Sequence, residues 1–398
     1  MKDPEIHLAV IGAGPVGLAL ALHAARALPA SAITLFDARP ADKDVSGDPR
    51  ALALSLGSVQ LLERLGAWRA DVAQPILEVH VSQQAPSLPP LFEAWMDEPA
   101  LTIRAADERV PMLGAVLSYG QIVAPLQAAW QAAEQAEPRR LRSRFGAPVA
   151  ALKPLEHGVE VDAGIAERYD LAVVAEGGVF ADQARKALAH DYGQTAWVGK
   201  VRFADPRGHR GVAYERFTRH GPAALLPLRD GQAALVWCVA SDDDPVAELD
   251  DVQRVAVLNT VFHPDVGRIA SIAPLKRFPL GLNAERTLTD GRTVRIGNAA
   301  QTLHPVAGQG LNLGLRDAFE LVRELERGGA DIDAALRRIE WQRGPDRWAM
   351  IAATDFLARS FTWRLPGVGA ARGLGIAALQ AVGPLKSALA RQMMFGSR

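Results

Sequence analysis

The sequence predicts an α/β protein with a Rossmann-like nucleotide-binding domain, an interleaved β-sheet domain and a C-terminal helical segment. Residues 7–37 alternate between strand, glycine turn, helix and strand, which is the order of a parallel nucleotide-binding unit. Residues 195–240 contain short apolar strands separated by hairpin-type turns, which predict an antiparallel meander. From residue 331 onward the pattern is helical.

The N-terminal unit carries a glycine-rich turn, with Gly12, Gly14, Pro15 and Gly17 between a strand at 7–11 and a helix at 18–28. The first glycine makes the tight turn, the second lets the backbone approach a pyrophosphate, and the third lets the helix pack on the strand. The next strand, at 33–36, ends in Asp37, whose carboxylate is placed to accept ribose hydroxyls. This spacing predicts a dinucleotide site and does not distinguish FAD from NAD.

Two polar residues further along have open interpretations. Arg50 precedes a predicted amphipathic helix at 51–65, and it is either a solvated charge or a phosphate contact, a task that suits a guanidinium. Gln121 lies at the start of a helix predicted to run to residue 134, as a donor to a cofactor hydroxyl or as an ordinary surface glutamine.

A second turn follows the apolar strand that ends at Val174. Glu176 and Gly177 stand where a strand runs into an acid and two glycines, so this is a second candidate nucleotide-side turn. Alternatively, Glu176 is an ordinary acidic residue of a loop.

The meander is predicted to have strands at 198–203, 212–217, 223–227 and 232–240. Phe217 and Trp237 have large flat side chains that would suit the wall of a substrate pocket, although aromatic residues in strands more often belong to the core. A helix near 249–261 and a strand around 272–279 follow.

A third glycine-rich stretch, residues 295–318, reads RIGNAAQTLHPVAGQGLNLGLRDA. A strand ends at Gly297 and Asn298, and a loop with His304 and Pro305 leads to Gly308 and a helix from about Leu311. A glycine-rich loop that enters a helix offers unpaired backbone N–H groups and a positive dipole end to an electron-rich group. By itself this predicts an anion or cofactor loop.

Composition limits the remaining possibilities. A formal net charge of −1 gives no electrostatic basis for nucleic-acid binding, and a single cysteine, Cys238, fits a reducing compartment. The N-terminus lacks the regions of a secretory signal, and no apolar run reaches the ~18 residues of a membrane span. No metal-spaced His/Cys cluster is present. We therefore expect a cytoplasmic protein, with peripheral contact at the inner membrane left open.

The C-terminal segment is basic and apolar. No acidic residue follows Asp355, whereas arginines and a lysine recur up to Arg398 between apolar stretches. Such a tail is suited to an anionic bilayer surface, where each basic side chain contributes about 1 kcal/mol. Packing against the rest of the protein, with a solvated basic face, is an equal alternative.

The three glycine-rich turns together resemble the fingerprints of the flavin-dependent aromatic hydroxylases of the single-component, group A type. The form of residues 297–305 and the segment Asp48–Leu54 resemble the ubiquinone-biosynthesis branch of that family, as does the YERFTRHGP stretch at 214–222. The subgroup that hydroxylates 2-polyprenyl-6-methoxyphenol is the most similar, and the resemblance covers nearly the whole chain.

The resemblance implies a p-hydroxybenzoate-hydroxylase-like fold with bound FAD. Its implied division is 1–75, 100–190 and 280–330 for the FAD-binding domain, 76–99 and 191–279 for the substrate domain, and 331–398 for the C-terminal segment. The implied cofactor contacts are Gly12, Gly14, Pro15, Gly17, Asp37, Arg50, Gln121, Glu176, Gly177, Gly297, Asn298, Pro305, Gly308, Gln309, Gly310, Leu311 and Asn312. The implied substrate pocket contains Phe217, Leu226, Pro227 and Trp237.

The implied reaction is ring hydroxylation of a polyprenyl phenol to the 1,4-benzoquinol. NAD(P)H reduces the FAD, O₂ adds to give a flavin C4a-hydroperoxide, and its terminal oxygen is transferred to the ring. His304 and Pro305 are the candidate residues on the flavin face, with His304 either a proton relay or a buried structural histidine. The rival hypotheses are hydroxylation at another ring position or of another phenol, and a flavin-binding scaffold of a ubiquinone-biosynthesis assembly. The electron donor and the oligomeric state stay open.

Overall fold

Strand order in the computed structural model confirms an α/β architecture. The structure describes residues 6–84, 98–176, 186–205, 209–305, 308–329, 331–360 and 367–396. Gly177 and the proline-rich stretch 86–90 lie outside these residues.

The strands in chain order are β1 His7–Ile11, β2 Ala32–Asp37, β3 Ala51–Ser55, β4 Gln74–Ile76, β5 Glu78–Gln83, β6 Ala100–Arg104, β7 Gly114–Ser118, β8 Leu141–Phe145, β9 Ala151–Leu155, β10 Gly158–Asp162, β11 Ala166–Tyr169, β12 Leu171–Val174, β13 Lys186–Phe203, β14 Val212–Phe217, β15 Pro222–Pro227, β16 Gln232–Ala240, β17 Ile269–Ile272, β18 Lys276–Glu285, β19 Thr289–Asp290, β20 Thr293–Arg295 and β21 Gln301–Thr302. The α-helices are α1 Pro15–Ala27, α2 Leu56–Arg64, α3 Tyr119–Ala136, α4 Asp251–Val261, α5 Gly310–Gly328, α6 Ile332–Ser360, α7 Val368–Ala381 and α8 Gly383–Phe395.

The nucleotide-side sheet has the order β19-β20-β12-β1-β2-β8, and β20, β12, β1, β2 and β8 pair in parallel. β1 and β12 are almost entirely buried because helices and a small second sheet cover both faces. α1 is rich in alanine and leucine, and its small side chains let it pack closely on α5 and the sheet.

The larger sheet has the order β21-β18-β13-β16-β15-β14-β5-β6, with β17 on the edge of β13. Its meander, β13 to β16, is antiparallel, and β5 joins β14 in parallel. The predicted strands at 212–217 and 232–240 are confirmed. The strand predicted at 198–203 is the end of the longer β13, and the one predicted at 272–279 is divided between β17 and β18.

Two helix predictions were wrong at their beginnings. α1 starts at Pro15 instead of residue 18, because proline at the first helical position has its backbone angle preset and lacks an N–H that would go unpaired anyway. Residues 51–55 form β3, which pairs with β7, and α2 starts only at Leu56 behind the N-cap Ser55. The alternating ALALS pattern forms a strand, so Arg50 precedes a strand and not a helix.

The domain division remains a prediction. β6 lies in the larger sheet beside β5, although a boundary at residue 100 separates these two strands. β18 runs across the boundary at residue 280 and pairs with β13 along its length. The two proposed domains thus share strands.

The C-terminal helices pack on the rest of the chain along one side. Ile376, Ala390 and Met394 are buried in a cluster with Phe217 and Leu101. Leu374, Val382 and Leu385 are exposed. Within the described residues, a lone helix with the length and apolarity to cross a membrane is absent; α7 and α8 meet that criterion only as a pair, which is bent by 98° at the break.

Candidate functional site

The first and third glycine-rich turns lie at one edge of the nucleotide-side sheet, together with the described start of the second, which ends at Glu176. β1 lies between β2 and β12, and β12 lies between β1 and β20, with Ile11 paired to Val174 and Val174 to Arg295. Because these strands are parallel, their carboxyl ends lie side by side. The turns that begin at Gly12, Glu176 and Gly297 are therefore neighbours, in the crevice where open α/β sheets bind ligands.

The first turn has the geometry of a pyrophosphate cradle. Gly12 has φ +101°, and a Cβ there would lie 2.8 Å from the Cβ of Glu176. A Cβ on Gly17 would lie 1.9 Å from the carbonyl oxygen of Gly12, so only glycine lets α1 start this close to the strand. At Gly14 a Cβ would meet only the Tyr119 hydroxyl, at 3.7 Å. The backbone at Gly14 is thus open on the side where the helix N-terminus presents its N–H groups.

Asp37 holds the glycine turn in place. Its Oδ2 accepts a hydrogen bond from the backbone N–H of Ala13 at 2.6 Å, and its Oδ1 accepts from the Nε of Arg39 at 2.9 Å. Arg39 also donates to the carbonyl oxygen of Ala13 at 2.7 Å. Sequence reasoning missed Arg39; its position two residues after the acid at a strand end was the available signal.

Glu176 lies against the first turn from the neighbouring strand. Burial raises the pKa of its carboxyl group, and the charge of Asp37 raises it further, while Arg39 lowers it. Two carboxylates and one guanidinium therefore share the edge of the sheet where the adenosine half of a dinucleotide would lie.

The third motif packs directly onto the first. The Val16 side chain, at the start of α1, is 3.4 Å from a Cβ built on Gly297 and 2.8 Å from one built on Gly314 in α5. Asn298, beside Gly297, is exposed. The turns at Gly12 and Gly297, almost three hundred residues apart in sequence, are therefore neighbours in the structure.

The loop that enters α5 presents an open backbone. A Cβ built on Gly310 would meet no atom within 4 Å among the described residues, whereas one built on Gly308 would be 3.7 Å from the Ala53 side chain. Gln309 is buried and occupies the N-cap position of α5, and Leu311 is half-buried against the main core. The first N–H groups of α5 have no acceptor within the helix, so they are available to an electron-rich group.

Asn312 uses its side chain to fasten this loop to the protein. Its Oδ1 accepts from the Ser55 N–H and the Ser58 hydroxyl, both at 2.8 Å. Its Nδ2 donates to the carbonyl oxygens of Ala53, at 3.0 Å, and Gly308, at 3.1 Å. The amide is buried, so a contact from Asn312 to a cofactor would come from its backbone.

Arg50 and Gln121 both lie beside the site and both have partners in the protein. Arg50 is exposed, pairs with Asp48 at 2.8 Å and lies 4.3 Å above the Tyr119 ring. The Oε1 of Gln121 accepts from the Ser118 N–H at 2.8 Å, and its backbone N–H donates to the Ser118 hydroxyl. This reciprocal capping fixes the start of α3 and explains a glutamine there without a cofactor.

His304 lies in a closed environment. It is 2% exposed, its Nε2 is 2.9 Å from Oε1 of Gln194, and the Tyr192 ring packs edge-on at 5.3 Å. Burial lowers the pKa of His304 to about 4, so it is neutral at physiological pH. These contacts favour the buried structural histidine over the proton relay. Pro305, next to it, is half-buried and leads into the cofactor loop.

The four substrate-pocket candidates do not share a face of the larger sheet. Phe217 and Leu226 pack in the cluster with the C-terminal helices. Trp237 packs on the opposite face against α4, and the register places Pro227 with Ala233 on that face as well. Grouping Pro227 and Trp237 with the other two was wrong, because side chains alternate between faces along a strand.

A second charged side chain was passed over by sequence reasoning. Glu215 is two residues before Phe217, and strand alternation places both on one face. Burial raises the pKa of Glu215 to about 7. The alternation of side chains along the strand VAYERF already indicated that Glu215 and Phe217 share a face.

A buried ionic network holds α5 against α6. Arg343 Nε donates to Asp317 Oδ1 at 2.7 Å, and Arg316 Nη1 donates to Asp346 Oδ2 at 2.9 Å. Arg347 reaches back to Gln301 at 2.6 Å, in the segment between the third turn and His304. The polar residues at the end of the third motif thus fix the helix that carries the cofactor loop.

Comparison with known proteins agrees with this arrangement. A family profile described as an FAD binding domain matches residues 186–337. The chain is 32% identical over 411 residues to the ubiquinone hydroxylase UbiL of Rhodospirillum rubrum, covering 98% of this chain and 90% of that protein. It is 29% identical to the 3-demethoxyubiquinol 3-hydroxylase of Escherichia coli, covering 97% of each.

Solved structures share the fold at low sequence identity. HpxO of Klebsiella pneumoniae, complexed with FAD and uric acid, has a TM-score of 0.74 at 17% identity, covering 100% of this chain and 98% of that one. The p-nitrophenol 4-monooxygenase PnpA of Pseudomonas putida has a TM-score of 0.70 at 14% identity, covering 100% of both. The predicted flavoprotein hydroxylase fold is confirmed.

Proposed function

The chain belongs to the FAD-dependent aromatic-ring hydroxylases of ubiquinone biosynthesis, and on that premise we propose that it hydroxylates the ring of a polyprenyl phenol, 2-polyprenyl-6-methoxyphenol, to give the 1,4-benzoquinol. It is a monooxygenase with FAD as cofactor and NAD(P)H and O₂ as co-substrates. The observation that carries the proposal is that the turns at Gly12 and Gly297 and the strand end at Glu176 lie together at the carboxyl edge of one parallel sheet.

The residues at this edge fit FAD. The open backbone at Gly14 and the N-terminus of α1 would hold the pyrophosphate, and the open backbone at Gly310 would face the isoalloxazine. Asp37 and Arg39 would lie at the adenosine end. When bound, FAD supplies the redox chemistry that reduces O₂ and delivers one of its oxygen atoms to the ring.

The remaining cofactor contacts are proposed from position. The residues concerned are Gly12, Pro15, Gly17, Arg50, Gln121, Glu176, Gly177, Gly297, Asn298, Pro305, Gly308, Gln309, Leu311 and, through its backbone, Asn312. The chain's further task is to keep water from the reacting oxygen, and the apolar clusters on both sides of the loop suit it.

A second candidate is hydroxylation at another ring position. The Escherichia coli relative is by its name a 3-demethoxyubiquinol 3-hydroxylase, and it is similar along nearly the full length of this chain. The cofactor turns are common to both candidates. The side chains that face the ring decide between them.

We also propose peripheral contact with a membrane through α7 and α8. One side of these helices is buried against the sheet, and Leu374, Val382 and Leu385 are exposed on the outside. Lys386 and Arg391 supply positive charge beside them. Flotation with anionic and zwitterionic vesicles tests this contact; equal recovery with both contradicts it.

Purified protein incubated with FAD tests the main proposal. We expect a yellow holoprotein whose NAD(P)H oxidation is stimulated by 2-polyprenyl-6-methoxyphenol, with ¹⁸O from ¹⁸O₂ in the product. A protein that stays colourless, or one that forms only H₂O₂, contradicts it. Deletion of the gene in its host, followed by identification of the accumulated quinone precursor, distinguishes the two ring positions.

A further inference from the structure

Glu215 occupies the middle of β14, on the face of the larger sheet that holds Phe217. The register pairs it with Val81 of β5 and Ala224 of β15. Both cross-strand partners are apolar, and the flanking same-face residues Ala213 and Phe217 are buried in an apolar cluster. A carboxylate with these apolar neighbours costs free energy unless a partner compensates it.

The described residues provide no such partner. Neither a hydrogen bond nor an ion pair reaches the Glu215 carboxylate from the parts of the chain that the structure describes. Desolvation alone raises the pKa of Glu215 to about 7, and its charge contributes to the raised pKa of the buried Cys238 thiol. A desolvated carboxylate without a partner among the described residues is available to a bound polar group.

The sheet face that carries Glu215 adjoins the cofactor loop at both of its ends. Leu303, before the loop, packs on the cluster that contains Cys238. Ala53 packs on the cluster that contains Phe217, and its carbonyl oxygen accepts the amide hydrogen bond of Asn312. Glu215 lies on the sheet face between these two clusters.

The charged residues near this face do not form an ion pair with the Glu215 carboxylate in the part of the chain that the structure describes. On the same face, β5 contributes Val81 and Gln83, β15 contributes Ala224, and β16 contributes Cys238. Arg372 approaches this face from α7, but its guanidinium binds Gln83 and the Ser360 carbonyl oxygen. Tyr214 and Arg216 point to the opposite face, where Arg216 pairs with Glu98.

We propose that Glu215 binds the ring hydroxyl of the phenolic substrate and acts as the base that takes its proton during hydroxylation. The inference rests on the proposed function and adds to it the residue that orients the ring toward the cofactor loop. A phenol is the matching ligand class, because its flat apolar ring suits the clusters and its hydroxyl donates to a carboxylate.

The step balances with the co-substrates already named. A ring carbon gives an electron pair to one oxygen atom of the O₂ that NAD(P)H has reduced to the peroxide level. The O–O bond breaks with its pair on the second oxygen, which leaves as water once it takes up the proton that the ring carbon later loses. The phenolic O–H bond breaks at the same time, its proton moves to a carboxylate oxygen of Glu215, and the ring oxygen becomes a carbonyl. When the hydroxylated carbon loses its hydrogen as a proton, the ring becomes aromatic again and Glu215 returns its proton to the ring oxygen.

The test compares Glu215→Gln with Glu78→Gln in FAD-loaded protein. Glu78 is also a glutamate of this sheet, but it is on the opposite face and pairs with the exposed Arg104 at 2.8 Å. With short-tailed 2-prenyl-6-methoxyphenol, we expect Glu215→Gln to lower kcat/KM by roughly 10²–10³-fold, the usual size of a general-base contribution. The acidic limb near pH 7 in the wild-type profile should disappear. FAD content should stay that of the wild type, and Glu78→Gln should match the wild type in every measurement.

Phenol binding, measured by the perturbation of flavin absorbance without NAD(P)H, separates this inference from the proposed function. If the wild type binds the phenol but does not hydroxylate it, and Glu215→Gln binds the phenol more weakly, Glu215 is a ligand of the phenol and the proposed function is contradicted. Hydroxylation by Glu215→Gln within threefold of wild type, with an unchanged pH profile, overturns the inference alone. A wild type that neither binds nor hydroxylates the phenol overturns both.

Discussion

Replacing Asn312 by alanine should destabilise the protein before any cofactor is bound. The side chain makes four hydrogen bonds in a buried position, to Ser55, Ser58, Ala53 and Gly308. At a net ~1 kcal/mol for each hydrogen bond, and with buried partners left unsatisfied, the loss is about 3–5 kcal/mol. The free energy of unfolding of the apoprotein should fall by that amount.

The assay is urea denaturation of the apoprotein together with a fluorescence titration of FAD. Asn259→Ala is the matched control, because Asn259 also anchors backbone groups, binding the N–H of Ile269 at 2.9 Å and the carbonyl oxygen of Val255 at 3.0 Å. It lies in α4, away from the cofactor loop. We expect both variants to lose stability and only Asn312→Ala to lose FAD affinity as well.

One outcome refutes this reasoning. If Asn312→Ala leaves the apoprotein as stable as the wild type and weakens FAD binding alone, the side chain is a direct cofactor ligand. The hydrogen bonds to β3 and α2 would then not be those that hold the loop.

Three further predictions follow from packing and charge. Gly17→Ala should give protein with little bound FAD, measured by absorbance at 450 nm, because the new Cβ would lie 1.9 Å from a carbonyl oxygen. Gly375→Ala is the control and should bind FAD normally, because its new Cβ would meet no described atom within 4 Å. Arg343→Met should lower the free energy of unfolding by about 3–5 kcal/mol, because it leaves the buried Asp317 carboxylate without its 2.7 Å partner; an unchanged urea midpoint contradicts this. Glu215→Gln should leave the free energy of unfolding unchanged near pH 4.5 and raise it by about 3 kcal/mol near pH 8. The reason is that the pKa of the wild-type carboxyl group rises from 4.5 to about 7 on folding, so the wild type loses stability as the pH passes through that interval. Equal free energies of unfolding for the two proteins at both pH values contradict this prediction.

The sequence identified the turns because their constraints are local. Gly12 has a φ of +101° that favours glycine, Gly17 lies against the carbonyl oxygen of Gly12 in the same turn, and Asp37 follows at the spacing of one helix and one strand. The third motif also has a local signature, a glycine loop before an amphipathic helix. Such patterns can be recognised in one dimension.

The residues around the substrate face needed the three-dimensional structure. Residues 51–55 were predicted as helix because LALSLGSVQL is periodic enough for either element, and the pairing with β7 decides for a strand. Phe217 and Trp237 were grouped by type, yet strand register places them on opposite faces. Only the register also showed that Glu215 shares the face of Phe217.

By itself the sequence predicted a bound dinucleotide and the backbone turns that would hold it, because a tight turn, a close approach and a helix start restrict residue type at each position. Only the tertiary structure decided what the polar side chains near those turns do. Asn312 and His304 occur in the motif that indicates the cofactor, and both are occupied by protein partners. The physical reason is that a side chain's role depends on which distant groups reach it, and those groups are brought together only when the sheets pair.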